Sequence, residues 1–192
     1  RQDAVRKALC TAGIPATCDG PTRSFPECAK DYGEFLVKLG FDSIWVTDHI
    51  IVPRSMDLIY RDNMLEPVAL LSHLAGLAPR VKLGTSVLIL PYRNPVVLAK
   101  MLATIDQLSG GRLILGLGVG SRVEDFAAAP SPIHERGKIM EAQLRAFRNA
   151  WAGKPIAEGV PAFGPEPGQP GGPPILVGGS GELPHNWIHD GR

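Results

Sequence analysis

Leu113-Ile114-Leu115-Gly116-Leu117-Gly118-Val119-Gly120 decides how the rest of the chain is read. Its first half is apolar without polar alternation, which predicts a strand covered on both faces, as in a parallel sheet. Ser43 to Val46, the stretch within Val81 to Leu90, and Ile175 to Val177 have the same character. Amphipathic stretches lie between them. Tyr32, Phe35, Leu36 and Leu39 recur at helical spacing before Gly40, a natural stop. Pro67 and Pro95 open segments that run to Ala78 and Leu108, and proline suits a first helical turn, where its missing N–H has no partner to lose. Glu135 to Ala152 places Met140, Leu144, Phe147 and Trp151 on one face. Strand and helix in alternation predict right-handed βαβ units and an α/β fold. The Pro/Gly-rich stretch from Gly153 to Pro174 reads as a loop, provided Ile175 to Val177 returns to the same sheet.

Composition narrows the function classes. The 192 residues are enough for one substantial core. Lys plus Arg number 20 against 19 acidic residues, and no basic cluster stands out, so neither nucleic acid nor an acidic membrane surface is an expected partner. No apolar run approaches the ~20 residues of a membrane span. Cys10, Cys18 and Cys28 have no metal-type spacing and fit reduced thiols of a cytoplasmic protein. His185 and His189 are four apart, but with Pro184 beside them and no third ligand they make a poor zinc site, and no metal is expected.

The chemistry-bearing residues cluster at predicted strand ends. Asp48 and His49 follow the first apolar run directly, where α/β barrels place their active sites. The plain alternative is that Asp48 caps a turn and His49 packs under a loop. Glycines at 116, 118 and 120 allow close backbone approach to a flat ring or a phosphate. They lack the position and third glycine of a dinucleotide fingerprint. Gly178-Gly179-Ser180-Gly181 follows the last strand and could cradle a phosphate on its backbone N–H groups, or simply turn the chain.

Taken together, these stretches resemble the luciferase-like monooxygenase superfamily. The resemblance is carried by Leu39 to His49, Val81 to Val87 with Leu90-Pro91-Tyr92-Arg93-Asn94-Pro95, Leu108 to Gly120, Glu124-Asp125-Phe126, His134 to Gly137, and Pro174 to Gly179. The Asp-His-Ile-x-Val-Pro and Pro-Tyr-Arg-Asn-Pro wording looks most like the branch that uses the deazaflavin coenzyme F420. The resemblance implies an incomplete TIM-type (β/α) barrel of parallel strands, with about four to five of eight units in residues 27–183. Residues 1–26 are unlike the family, and 184–192 form an unmatched tail. It further implies hydride transfer between a deazaflavin and a small organic substrate, with His49 as the acid–base group and Asp48 near the ring. Ser86 and Val87 would carry a non-prolyl cis peptide against the ring, Gly118, Gly120 and Glu124 would border it, and Gly178, Gly179, Ser180 and Gly181 would hold its phosphate. The alternatives are an FMN-dependent monooxygenase of the same superfamily and a non-catalytic flavin-binding fragment. A partial barrel with open edges also makes a homodimer an expected way to cover them. Ser121, Pro130 and Ile139 depart from the family pattern.

Overall fold

The computed structural model describes residues 41–51, 64–155, 158, 161–162 and 164–178. The expected helix before Gly40, the three cysteines, residues 179–181 and the His185/His189 pair lie outside them. Strand β1 (Ser43–Val46) leads to helix α1 (Pro67–Leu77), then to strands β2 (Lys82–Thr85) and β3 (Leu88–Ile89) and a short 3-10 turn, Leu90–Tyr92. Helix α2 (Pro95–Ser109), strand β4 (Leu113–Gly118), helix α3 (Val123–Ala128), a second 3-10 turn (Ile133–Glu135), helix α4 (Arg136–Trp151) and strand β5 (Ile175–Val177) complete the order. Every pairing is parallel: β1 with β2, β2 and β3 with β4, and β4 with β5. The described residues therefore form part of a TIM-type barrel, and the loop after α4 does return the chain to the same sheet. Among them no helix is long and apolar enough to cross a membrane.

Local chemistry explains the helix ends. Pro67 and Pro95 occupy first-turn positions. Glu66 caps α1 by accepting from Ala69 N at 2.8 Å, and Asn94 caps α2 by accepting from Val96 and Val97 N. Gly110 closes α2 in the left-handed conformation at φ 68°. One core joins the outward face of the sheet to the helices. Ile44, Val46, Leu83, Leu113, Leu115 and Leu117 meet Leu71, Leu102, Met140, Phe147 and Trp151 there.

The single apolar run from Val81 to Leu90 is not a single strand. Gly84 pairs with Ile114 and Leu88 with Leu117, so four residue steps on one side answer three on the other. The extra residue is a β-bulge, and it falls at Ser86 and Val87, whose peptide bond is cis. Strand β4 also runs further than its composition suggests, so Gly116 and Gly118 lie inside it rather than in a loop. Both allow close contact. A Cβ on Gly116 would sit 2.0 Å from Thr85 O, and one on Gly118 would sit 2.6 Å from Val87 Cγ2.

Two polar residues bolt the opposite end of the sheet. Arg112 donates to Ser109 O, Ala78 O, Val81 O and Ala75 O at 2.5 to 2.8 Å, which places one cation at the C-terminal carbonyls of both α1 and α2. Partial burial lowers its pKa from the ordinary arginine value. Asp106, fully buried, accepts from Gln169 N and Nε2, both at 2.8 Å, and so anchors the Pro/Gly-rich loop. Charged hydrogen bonds contribute about 1.5–3 kcal/mol each when isolated, and shared, half-buried ones contribute less. Arg112→Met is therefore expected to cost about 3 kcal/mol in urea unfolding, with Arg112→Lys recovering less than half. An unchanged midpoint for the methionine variant would show that the four carbonyls do not depend on this guanidinium.

Candidate active site

The parallel arrangement brings the C-terminal ends of β1, β3, β4 and β5 to one edge. Asp48 and His49 leave β1 there, Ser86 and Val87 form the bulge, Gly118 ends β4, and Gly178 follows β5. Val87 packs between the last two: a Cβ on Gly178 would lie 2.8 Å from Val87 Cγ1, as one on Gly118 would lie 2.6 Å from Val87 Cγ2. The half-buried valine and two bare glycines make a low apolar floor, with exposed Ser86 at its rim. Gly120 has φ 75°, and a Cβ there would meet Ile89, Tyr92 and Phe126 within 3.2 Å, so glycine is needed twice over.

Asp48 is 2 % exposed, and its carboxylate is fully engaged. Oδ2 accepts from Ile89 N at 2.8 Å and from Arg93 Nη1 at 2.5 Å, while Oδ1 accepts from Arg93 Nη2 at 3.0 Å. Arg93 also donates to Glu66 Oε1 and Ile89 O, and its own carbonyl accepts from Gln143 Nε2. Burial opposes its charge, but bonding and attraction to Asp48 and Glu66 prevail and raise its pKa above the usual value. Arg93 thus ties the end of β1 to β3 and α1 through its guanidinium, and to α4 through its carbonyl, which accepts from Gln143.

The residue that organises His49 is Asp125, which is fully buried in α3. Its Oδ1 accepts from Ile50 N at 2.9 Å and Ile51 N at 2.8 Å, and its Oδ2 lies 3.2 Å from His49 Nδ1. Tyr92 stands near enough to feel the charge of the same carboxylate. Burial, then the charges of Asp125 and Asp48, push the phenol well above its ordinary pKa, so Tyr92 keeps its proton. Phe126, next in sequence, stacks edge-on against Tyr92 at 4.9 Å between ring centroids.

Sequence reasoning singled out Glu124, which lies on the exposed side of α3, and passed over its neighbour. A signal was available. Phe126 must face the core, and Asp125 lies one helical step from it, whereas Glu124 lies two steps away, on the opposite side. Gly179, Ser180 and Gly181 lie outside the described residues.

The profile of the family described as luciferase-like monooxygenase matches residues 16–184. The chain belongs to the luciferase-like monooxygenase family. Among its luciferase-like relatives is the F420-dependent glucose-6-phosphate dehydrogenase of Amycolatopsis mediterranei (strain U-32), 33% identical over 131 residues, which cover 64% of this chain and 38% of that one. A solved F420-dependent secondary alcohol dehydrogenase, in complex with an F420-acetone adduct, superposes with a TM-score of 0.53 at 26% identity, over 67% of this chain and 38% of that one. The oxygenating constituent of 3,6-diketocamphane monooxygenase from Pseudomonas putida, in complex with FMN, shares the fold with a TM-score of 0.67 at 18% identity, over 87% of this chain and 49% of that one. The luciferase-like chain therefore spans less than half the length of these three.

Proposed function

We propose that this chain is the cofactor-binding part of an oxidoreductase that moves a hydride between a deazaflavin of the F420 type and a small organic substrate. The observation that carries the proposal is the strand-end edge itself: His49, tethered by Asp125, shares it with the apolar floor of Val87, Gly118 and Gly178. Those residues fit a flat ring, because the glycines raise no side chain above β4 and β5 and the valine offers an apolar surface. The similarity to two F420-dependent enzymes supports deazaflavin over FMN.

The bound ring would supply the hydride chemistry; the protein's task is to bind, orient and handle protons. Val87, Gly118 and Gly178 would meet a ring face, and Gly120 would border it. The backbone of 178–181 is proposed for the phosphate, and exposed Glu124 for the outer border. Asp48, held by Arg93, fixes the start of the His49 loop. His49 is proposed to take or return the substrate proton, because imidazole titrates near neutrality.

Titration of the purified chain with coenzyme F420 and, separately, FMN, followed by fluorescence quenching, tests the binding. Saturable quenching by F420 is the expected result. Saturation by FMN alone would transfer the reading to a flavin monooxygenase, and failure of both with a folded chain would leave a non-catalytic fragment. If F420 binds, glucose 6-phosphate and 2-propanol are the first substrates to supply, following the two relatives.

A further inference from the structure

We propose that Asp125 is a positioning residue that holds His49 in the tautomer with hydrogen on Nδ1 and the lone pair on Nε2. The acid–base role of His49 rests on the function proposed above, whereas the tautomer is a property of the cofactor-free chain. A carboxylate brings no hydrogen of its own, so an Nδ1 lying 3.2 Å from Asp125 Oδ2 must provide one. Oδ1 is committed to the backbone N–H groups of Ile50 and Ile51, which fixes the plane of the carboxyl and leaves Oδ2 for the ring. Asp125 is fully buried, so water does not compete for these bonds.

The main chain after His49 and the side chain of His49 are thus held by one carboxylate. An imidazole fixed this way accepts a proton at Nε2 when neutral and returns it from the same atom when charged. Without the fixed tautomer, half of that cycle would start from the wrong nitrogen.

Asp125→Asn makes the proposal testable with almost no change of shape. The asparagine carbonyl must stay on Ile50 and Ile51 N–H, since a turned amide would set donors against donors. Its NH2 then faces His49 Nδ1 and donates to it, which forces the hydrogen to Nε2. The probe is 15N NMR of the imidazole in the cofactor-free chain at alkaline pH, where an ordinary imidazole is neutral. The expected result is protonated Nδ1 and lone-pair Nε2 in the wild type, exchanged in Asp125→Asn. A wild-type ring protonated on Nε2 overturns the proposal, and so does an unchanged ring in a folded variant. The wild-type spectrum alone can decide against it if the variant does not fold. Because no cofactor is present, a failed F420 titration leaves this test intact.

Discussion

Arg93→Ala is expected to lower the stability of the fold by about 3–5 kcal/mol, the cost of removing one partner from a buried ion pair. The variant leaves the Asp48 carboxylate, 2 % exposed, with Ile89 N as its one remaining donor among those described. It also breaks the link to Glu66, which caps α1. At roughly 2–4 °C per kcal/mol for a chain of this size, the melting temperature should fall by about 10 °C. The sharper test is the double variant Arg93→Ala/Asp48→Asn. Removing the stranded charge should return part of the loss, so the double variant is expected to be more stable than Arg93→Ala alone. Strictly additive losses would mean that the pair does not act as a unit, and that the end of β1 is held by other contacts.

His49→Ala should have its largest effect on turnover rather than on the fold. Asp125 keeps Ile50 N and Ile51 N as donors after the ring is gone, so the loop retains its tether. General acid–base catalysis contributes about 10²–10⁴-fold, and the variant is expected to lose turnover in that range with the substrate found in the F420 assay. Cofactor affinity should change far less, because the proton matters in the transition state rather than in binding. Equal losses in affinity and turnover would instead make His49 a binding residue.

The strands and long helices were legible because their signals are local. Apolar runs without alternation mark β1, β4 and β5, and Pro67 and Pro95 mark helix starts through their own backbone chemistry. The break at Ser86 and Val87 was not visible in that way. Apolar residues continue on both sides of it, and only the register against β4 shows the extra residue. Asp48 and His49 could be placed at a strand end, but their partners could not. Arg93 lies 45 positions from Asp48 and Asp125 lies 76 from His49, and no spacing rule reaches across such distances. Glu124 and Asp125 are adjacent acids on a six-residue helix, and only the burial of Phe126 separates their roles.

The bulge has a further consequence. Side chains along a strand alternate between two faces, and one additional residue exchanges the faces for everything after it. Leu83 before the bulge and Leu88 after it both enter the large core, five positions apart. Val87 and Ile89 turn instead to the small cluster with Tyr92 and Phe126 that lies beneath the Asp125 tether. Ser86 and Val87 therefore work like a frameshift in a reading frame: the bulge absorbs one residue, and the alternation resumes beyond it. Deleting either one would leave Leu88 four positions after Leu83, still on the core side and still opposite Leu117, so the loss would fall on the bulge itself, which sets Val87 between Gly118 and Gly178.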